Sequence, residues 1–200
     1  MIISVHSENP EVRKMKQVLD ILQGGGVIVY PTDTVYALGC LANNKDGIAR
    51  IHRIKGNDSH KQLMTIMSPD ISVTAKLTTP IPNEVFKLMK RNVPGPFTFI
   101  LNANSKVPKI VQSRRKTIGF RIPSNPIAMY LLNNIDDYLV STSFKVDNQF
   151  FPDPIDIEDR VGKLVDVIVD GGVLETKLSS IVDCTASEPE LIRAGDVPIE

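Results

Sequence analysis

Apolar residues at Val12, Met15, Val18, Leu19 and Leu22 recur at the spacing of one helical stripe. Gly24-Gly25-Gly26 follows, and glycine just past a helix supplies the backbone freedom that ends it. Val27 to Tyr30 is then a short unbroken apolar run closed by Pro31, the pattern of a buried strand. A second helix is expected from Asp46 through Ile48, Ile51 and Ile54 to Gly56, with Arg50 and Arg53 off its apolar stripe. Lys55 therefore falls at a helix end. A third helix begins near Pro82, buries Val85, Leu88 and Met89, and stops before Pro94-Gly95-Pro96.

Phe97 to Leu101 and Thr117 to Ile122 have strand composition, with a polar, basic connection between them. Asn125-Pro126 opens a helix through Ile127, Ala128, Leu131 and Leu132. Tyr138 to Thr142 reads as a strand, Ile157 to Leu164 as a short helix and Val165 to Val169 as a strand before Gly171-Gly172. Ser180 to Asp183 and Leu191 to Arg193 read as terminal strands. The segment from Phe144 to Asp156 is the longest irregular stretch and a candidate for a mobile flap. Strands alternating with helices argue for an α/β fold, with at least part of the sheet parallel and ligands beyond the strand ends.

The 200 residues are 42% hydrophobic and 23% charged, ordinary for one globular domain spanning 1–200. Cys40 and Cys184 fit no metal-ligand or disulfide-scaffold spacing, which suits a reducing compartment. Polar residues stand where a signal peptide would need an apolar core, and no stretch has the length of a membrane span; the expectation is a cytoplasmic protein without membrane contact. Lys+Arg and Asp+Glu number 23 each, so the net charge favours no nucleic acid. The cations are clustered, however: Arg50, Arg53, Lys55 and Lys61; Lys87, Lys90 and Arg91; Arg114, Arg115 and Lys116. Such clusters are either solvated surface or parts of a basic face.

Gly24-Gly25-Gly26 is not a phosphate loop, because it follows a helix and precedes a strand, the reverse of the order that aims backbone N–H groups at phosphate. Pro31-Thr32-Asp33-Thr34 sets two hydroxyls and a carboxylate just after a buried strand. These groups either satisfy their own turn or hold the ammonium or hydroxyl of an amino acid. Lys55 and Lys61, six residues apart, suit either a helix C-terminus or a triphosphate. Arg121 and Arg193 stand inside strand-like segments, where each is either an edge-strand cation facing solvent or one paired with a partner or ligand. His6, His52 and His60 have no metal spacing, and no serine or cysteine sits in a nucleophile elbow.

Taken in order, Pro31-Thr32-Asp33-Thr34-Val35-Tyr36, the Lys55 loop, Pro94 to Leu101, Thr117 to Pro123, Ser141-Thr142-Ser143, Asp170-Gly171-Gly172 and Ser179 to Asp183 resemble the signature of the YrdC/Sua5/YciO family. The resemblance covers nearly the whole chain. It implies a YrdC/RibB-like open, twisted, mixed sheet flanked by helices, with a concave basic face. It also implies a nucleotidyltransferase that joins L-threonine, bicarbonate and ATP into threonylcarbamoyl-adenylate for tRNA modification, with Mg2+ arriving on the nucleotide. By position, Thr34, Arg121 and Ser180 would meet threonine, and Lys55, Lys61, Ser143, Lys145 and Arg193 the nucleotide, with Lys55 and Arg121 catalytic.

Some positions depart from the family pattern. The usual Lys-x-Arg reads Lys55-Gly56-Asn57, and the usual Ser-x-Asn reads Ser143-Phe144-Lys145. Asp58 and Gln62 stand where a proline pair is usual, and Ala37 replaces a glycine. Asn57 offers no guanidinium fork, so Lys145 or Lys61 would have to replace its charge. These changes resemble the YciO-like branch. They leave two alternatives to the synthase: a protein binding double-stranded or structured RNA through its basic face, or an enzyme acting on a related adenylate or carbamoyl compound.

Overall fold

A computed structural model describes residues 1–56 and 64–200. The elements in chain order are β1 (Ile2–Ser4), α1 (Val12–Gln23), β2 (Ile28–Tyr30), β3 (Ala37–Leu41), α2 (Lys45–Lys55), β4 (Thr65–Met67), α3 (Ile71–Ala75), α4 (Asn83–Asn92), β5 (Phe97–Asn102) and β6 (Thr117–Arg121). Then come α5 (Pro126–Asn133), β7 (Leu139–Ser143), β8 (Lys145–Val146), β9 (Gln149–Phe150), α6 (Pro154–Val161), β10 (Val167–Asp170), β11 (Ser180–Asp183) and β12 (Glu190–Arg193). The chain builds a large mixed sheet flanked by helices. Among the described residues its strands run in the order β1-β10-β2-β3-β7-β4-β6-β5-β11-β12. Parallel pairs such as β10 with β2 and β4 with β6 alternate with antiparallel runs through β2, β3, β7 and β4.

Sheet alternation sorts the core into two layers. Ile28 and Tyr30 point to the side where Met15, Val18 and Leu22 of α1 and Ile127 and Leu131 of α5 pack. Val29 points to the other, where Ile48 and Ile51 of α2, Val85 and Met89 of α4 and Ile157 of α6 cover Leu38, Ile66, Phe99 and Phe120. In β5 only one face is fully covered: Phe97, Phe99 and Leu101 are buried, while Thr98, Ile100 and Asn102 remain half-buried. That second face is where the sheet is open.

The helix ends follow local chemistry. The glycine triplet stops α1, with Gly25 at φ 90° and the Gly24 N–H donating to Asp20 O at 2.9 Å. Asn44 caps α2 by accepting from Gly47 N, and Gly56 at φ 81° ends it. Asn125 caps α5 ahead of Pro126. Helix α6 begins three residues earlier than the Ile157 expected, because Asp153 accepts from Ile155 N and Pro154 is preorganised for a first turn. β1, β3 and β4 lie outside the sequence-expected strands. The first and last are three residues long, and the apolar run of β3 is continuous with the hydroxyl-rich turn before it. The stretch expected to be irregular, 144 to 156, instead holds the β8–β9 hairpin and the start of α6. Among the described residues, no helix is long and apolar enough to cross a membrane.

Candidate functional site

Strand β6 lies between β4 and β5 in the middle of the sheet, so Arg121 is not an edge-strand cation facing solvent; it is 7% exposed. Its Nη2 donates to Asp33 Oδ1 at 2.7 Å and its Nη1 to Thr34 Oγ1 at 2.9 Å. The Thr-Asp-Thr turn thus divides its labour. Thr32 satisfies the turn itself, donating to Val35 O at 2.6 Å and accepting from the Thr34 and Val35 N–H groups. Asp33 and Thr34 face the guanidinium. Arg121 Nε and Asp33 Oδ2 are buried without a hydrogen-bond partner, leaving one donor and one acceptor unmet at a place where such groups normally find a protein, water or ligand partner.

Arg121, Thr32, Thr34, Ala37, Ser141 and Ser143 line a hollow of about 40 Å³. Val35, Thr65, Met67 and Thr142 complete its wall. A second hollow, of about 410 Å³, shares Thr65, Thr142 and Ser143 with the first and is further lined by Lys55, Lys145, Arg193, Thr98, Ile100, Gly119, Phe150 and Ile181. A small polar compartment with a buried guanidinium therefore adjoins a larger one carrying three cations.

Lys55 reaches this junction from the C-terminus of α2 and donates to Ser143 O at 2.9 Å and Thr142 Oγ1 at 3.3 Å. Burial, and secondarily the nearby Lys145 ammonium, push its pKa down to about 8. Its ammonium is thus short of compensating negative charge, the condition that favours an anionic ligand. Lys145 sits on β8 and donates to Asn148 Oδ1 at 3.2 Å. Arg193, on the edge strand β12, is exposed and donates to the carbonyl and hydroxyl oxygens of Ser179.

Not every expected residue converges here. Ser180 lines neither hollow: its hydroxyl donates to Val197 O and accepts from Gly195 N, pinning the chain after β12. Lys61 lies outside the described residues, as do Asn57, Asp58 and Gln62. Arg50 turns away to bind Asp166 at 2.7 Å and tie α2 to the loop just before β10. Thr65, Thr98, Ile100, Gly119, Phe150 and Ile181 were not assigned roles from sequence. The alternation of Phe97 to Asn102, with Thr98 and Ile100 off the buried set, carries the signal for two of them. Among the described residues, no group of three or more His, Cys, Asp or Glu side chains could hold a metal. The two cysteines are buried thiols pushed up to about 12 by burial, unsuited to nucleophilic work. A more voluminous hollow, about 660 Å³ beside α3 and α4, is mostly apolar; its Asp70 is already engaged as the cap of α3.

Residues 20–195 match the model of the Sua5/YciO/YrdC family, described as Telomere recombination. The chain belongs to this family. Among its relatives, the Escherichia coli protein YciO is 42% identical over 195 residues, covering 96% of this chain and 93% of that protein. The E. coli YciO crystal structure superposes with a TM-score of 0.93 at 39% identity, over 99% of this chain and 97% of that one. The threonylcarbamoyl-AMP synthase of Pyrococcus abyssi is 31% identical over the full length of this chain, which spans 59% of that protein. P. abyssi Sua5 crystallised with L-threonine has a TM-score of 0.91 at 26% identity, covering 99% of this chain and 58% of that one. Likeness to YciO runs almost end to end. Likeness to the synthases is confined to part of their length.

Proposed function

We propose that this protein is an ATP-dependent L-threonylcarbamoyladenylate synthase whose product feeds tRNA threonylcarbamoyladenosine formation. The observation that carries the reading is the junction of the Arg121 hollow with the Lys55 hollow through Thr65, Thr142 and Ser143. A reaction joining an amino acid to a nucleotide needs two such compartments sharing a wall. The threonine found in P. abyssi Sua5 and the synthase names of several relatives support the choice of reaction.

In this mechanism, Arg121 and Thr34 hold the carboxylate of L-threonine, with Asp33 fixing the guanidinium behind them. Bicarbonate takes up a proton and loses water to give CO2; the threonine amine adds to the CO2 carbon and loses a proton, giving a carbamate. A carbamate oxygen then attacks the α-phosphorus of ATP; the new O–P bond forms as the bond to pyrophosphate breaks. Lys55, Lys145, Ser143 and Arg193 meet the phosphate charge. The site works mainly by holding reactants together and by stabilising charge that grows in the transition state. In this reading magnesium would enter as part of the nucleotide substrate.

The test is to incubate the purified protein with ATP, magnesium, L-threonine and labelled bicarbonate and to look chromatographically for threonylcarbamoyl-adenylate. Product that disappears with Lys55→Ala supports the synthase; ATP binding without product overturns it. An RNA-binding role is a second reading, favoured by the exposed Lys106, Lys109, Arg114, Arg115 and Lys116 in the β5–β6 connection. Affinity for duplex RNA that ignores sequence and collapses with salt, in a protein that makes no adenylate, would select it.

A further inference from the structure

The β8–β9 hairpin is fixed at both ends. At its tip, Asp147 and Asn148 have φ 49° and 63°, the two positive values that a two-residue type I′ turn requires. At its root, Phe144 and Phe151 are 1% and 6% exposed, with ring centroids 5.8 Å apart, and Arg160 of α6 lies 4.1 Å over the Phe151 ring. Between root and tip, Lys145 pairs with Phe150. Directly opposed residues of an antiparallel pair share a face, and successive residues point to opposite faces. Phe144 and Phe151 therefore anchor the hairpin in the core, while Lys145 and Phe150 turn together to the hollow of about 410 Å³ that both line.

Phe150 is only half-buried, unlike its anchoring neighbours, and is not among the hydrophobic side chains packed in or against the two core layers. Ile100 and Ile181 line the same hollow from the half-buried positions of β5 and β11. The result is an aromatic ring and an apolar floor, with an ammonium beside the ring. A nucleoside triphosphate presents the complementary set: a flat base with two π faces, and anionic phosphates.

We propose that Phe150 is the base-recognition residue of this site, stacking on the nucleobase while Lys145 across the hairpin meets the phosphates. The inference rests on the nucleotide reading given above and adds the part of the site that distinguishes a nucleotide from a bare polyphosphate. Recognition by stacking is tolerant of base identity, so discrimination among bases follows ring area more than hydrogen-bond pattern.

Calorimetric titration of ATP, CTP and inorganic tripolyphosphate, each with magnesium, tests it on the wild type, Phe150→Leu, Phe150→Tyr and Lys145→Ala. Leucine keeps an apolar side chain on the hairpin while removing the ring. Phe150→Leu is expected to weaken ATP on the order of tenfold and to leave tripolyphosphate unchanged. Phe150→Tyr retains ATP, CTP binds more weakly than ATP, and Lys145→Ala weakens ATP and tripolyphosphate alike. Unchanged ATP affinity in Phe150→Leu overturns the proposal, and so does an equal loss of both ligands, which would mark Phe150 as structural. A wild type that binds neither ATP nor tripolyphosphate removes the nucleotide reading itself, a failure distinct from these two.

Discussion

The guanidinium of Arg121 lies 2.7 Å from the carboxylate of Asp33, which precedes it by 88 residues in the chain. The two side chains are 8% and 11% exposed, so the attraction acts largely out of water and offsets desolvation only while both partners are present. With Thr34 holding the other terminal nitrogen, the turn after β2 sets the plane of a guanidinium supplied by β6. Asp33 is in this sense a positioning residue for Arg121.

Asp33→Ala should therefore lower stability by about 3 kcal/mol, read from the urea unfolding midpoint, because it strands a buried cation. L-Threonine should no longer raise the thermal midpoint of that variant. The double replacement Asp33→Leu with Arg121→Met should regain most of the stability and none of the threonine effect. A single variant as stable as the wild type would show the pair to be as weak as a surface ion pair.

The Lys55 amine, pushed from 10.5 to about 8 by burial and Lys145, ties binding to pH. Below pH 8 it is charged in the folded and unfolded chain alike, and the cost of burying that charge is present in full. As pH climbs from about 8 towards 10.5, the folded chain sheds the proton while the unfolded chain still holds it, so this residue's contribution to stability rises. Anion affinity moves the opposite way. Tripolyphosphate should bind more weakly above pH 8 and take up a proton as it binds, measured by calorimetry in buffers of different ionisation heat. Lys55→Met should abolish the proton uptake, and Lys145→Ala should shift it to higher pH.

Asn148 tests the hairpin tip. Asn148→Val puts a β-branched residue at φ 63° and should destabilise the hairpin by about 1–2 kcal/mol, seen as faster amide exchange there. Asn148→Gly accepts the same backbone and should leave exchange close to wild type while freeing the Lys145 ammonium from its 3.2 Å contact. Equal behaviour of the two variants would contradict this account of the turn.

Gly119 forms part of the floor of the larger hollow, and a methyl there would sit 3.1 Å from Thr98 Cγ2 and 3.2 Å from Thr65 Oγ1. Gly119→Ala is expected to cost about 1 kcal/mol in stability from crowding. ATP affinity should fall several-fold while the threonine-induced thermal shift persists, because Gly119 does not line the smaller hollow.

Much of the scaffold is legible along the chain. The apolar stripe of α1, its glycine stop and the proline-led start of α5 are local signals, written within one or two turns of sequence, whereas the start of α6 at Pro154 falls inside the stretch expected to be irregular. Residue types at the site are legible too: an arginine in an apolar strand is a candidate for a partner or ligand if that strand is not an edge, and a lysine at a helix end beside glycine is a candidate for phosphate. The partner of Arg121 is not legible in the sequence, because Asp33 and Thr34 have the chemistry of an ordinary turn and only the position of β6 decides where they face. The three-residue strands β1 and β4 carry too few positions for periodicity to show.

By itself, the sequence determined the alternation of strands and helices, the family signature, and which cations and hydroxyls were available. The tertiary structure decided that β6 is central, that Ser180 is spent on the chain end, that Arg50 serves Asp166, and that Lys145 and Phe150 share one face of a hairpin. The physical reason is range: capping and periodicity act over a few residues. Strand order and the burial of a charge depend on groups that only the folded sheet brings together.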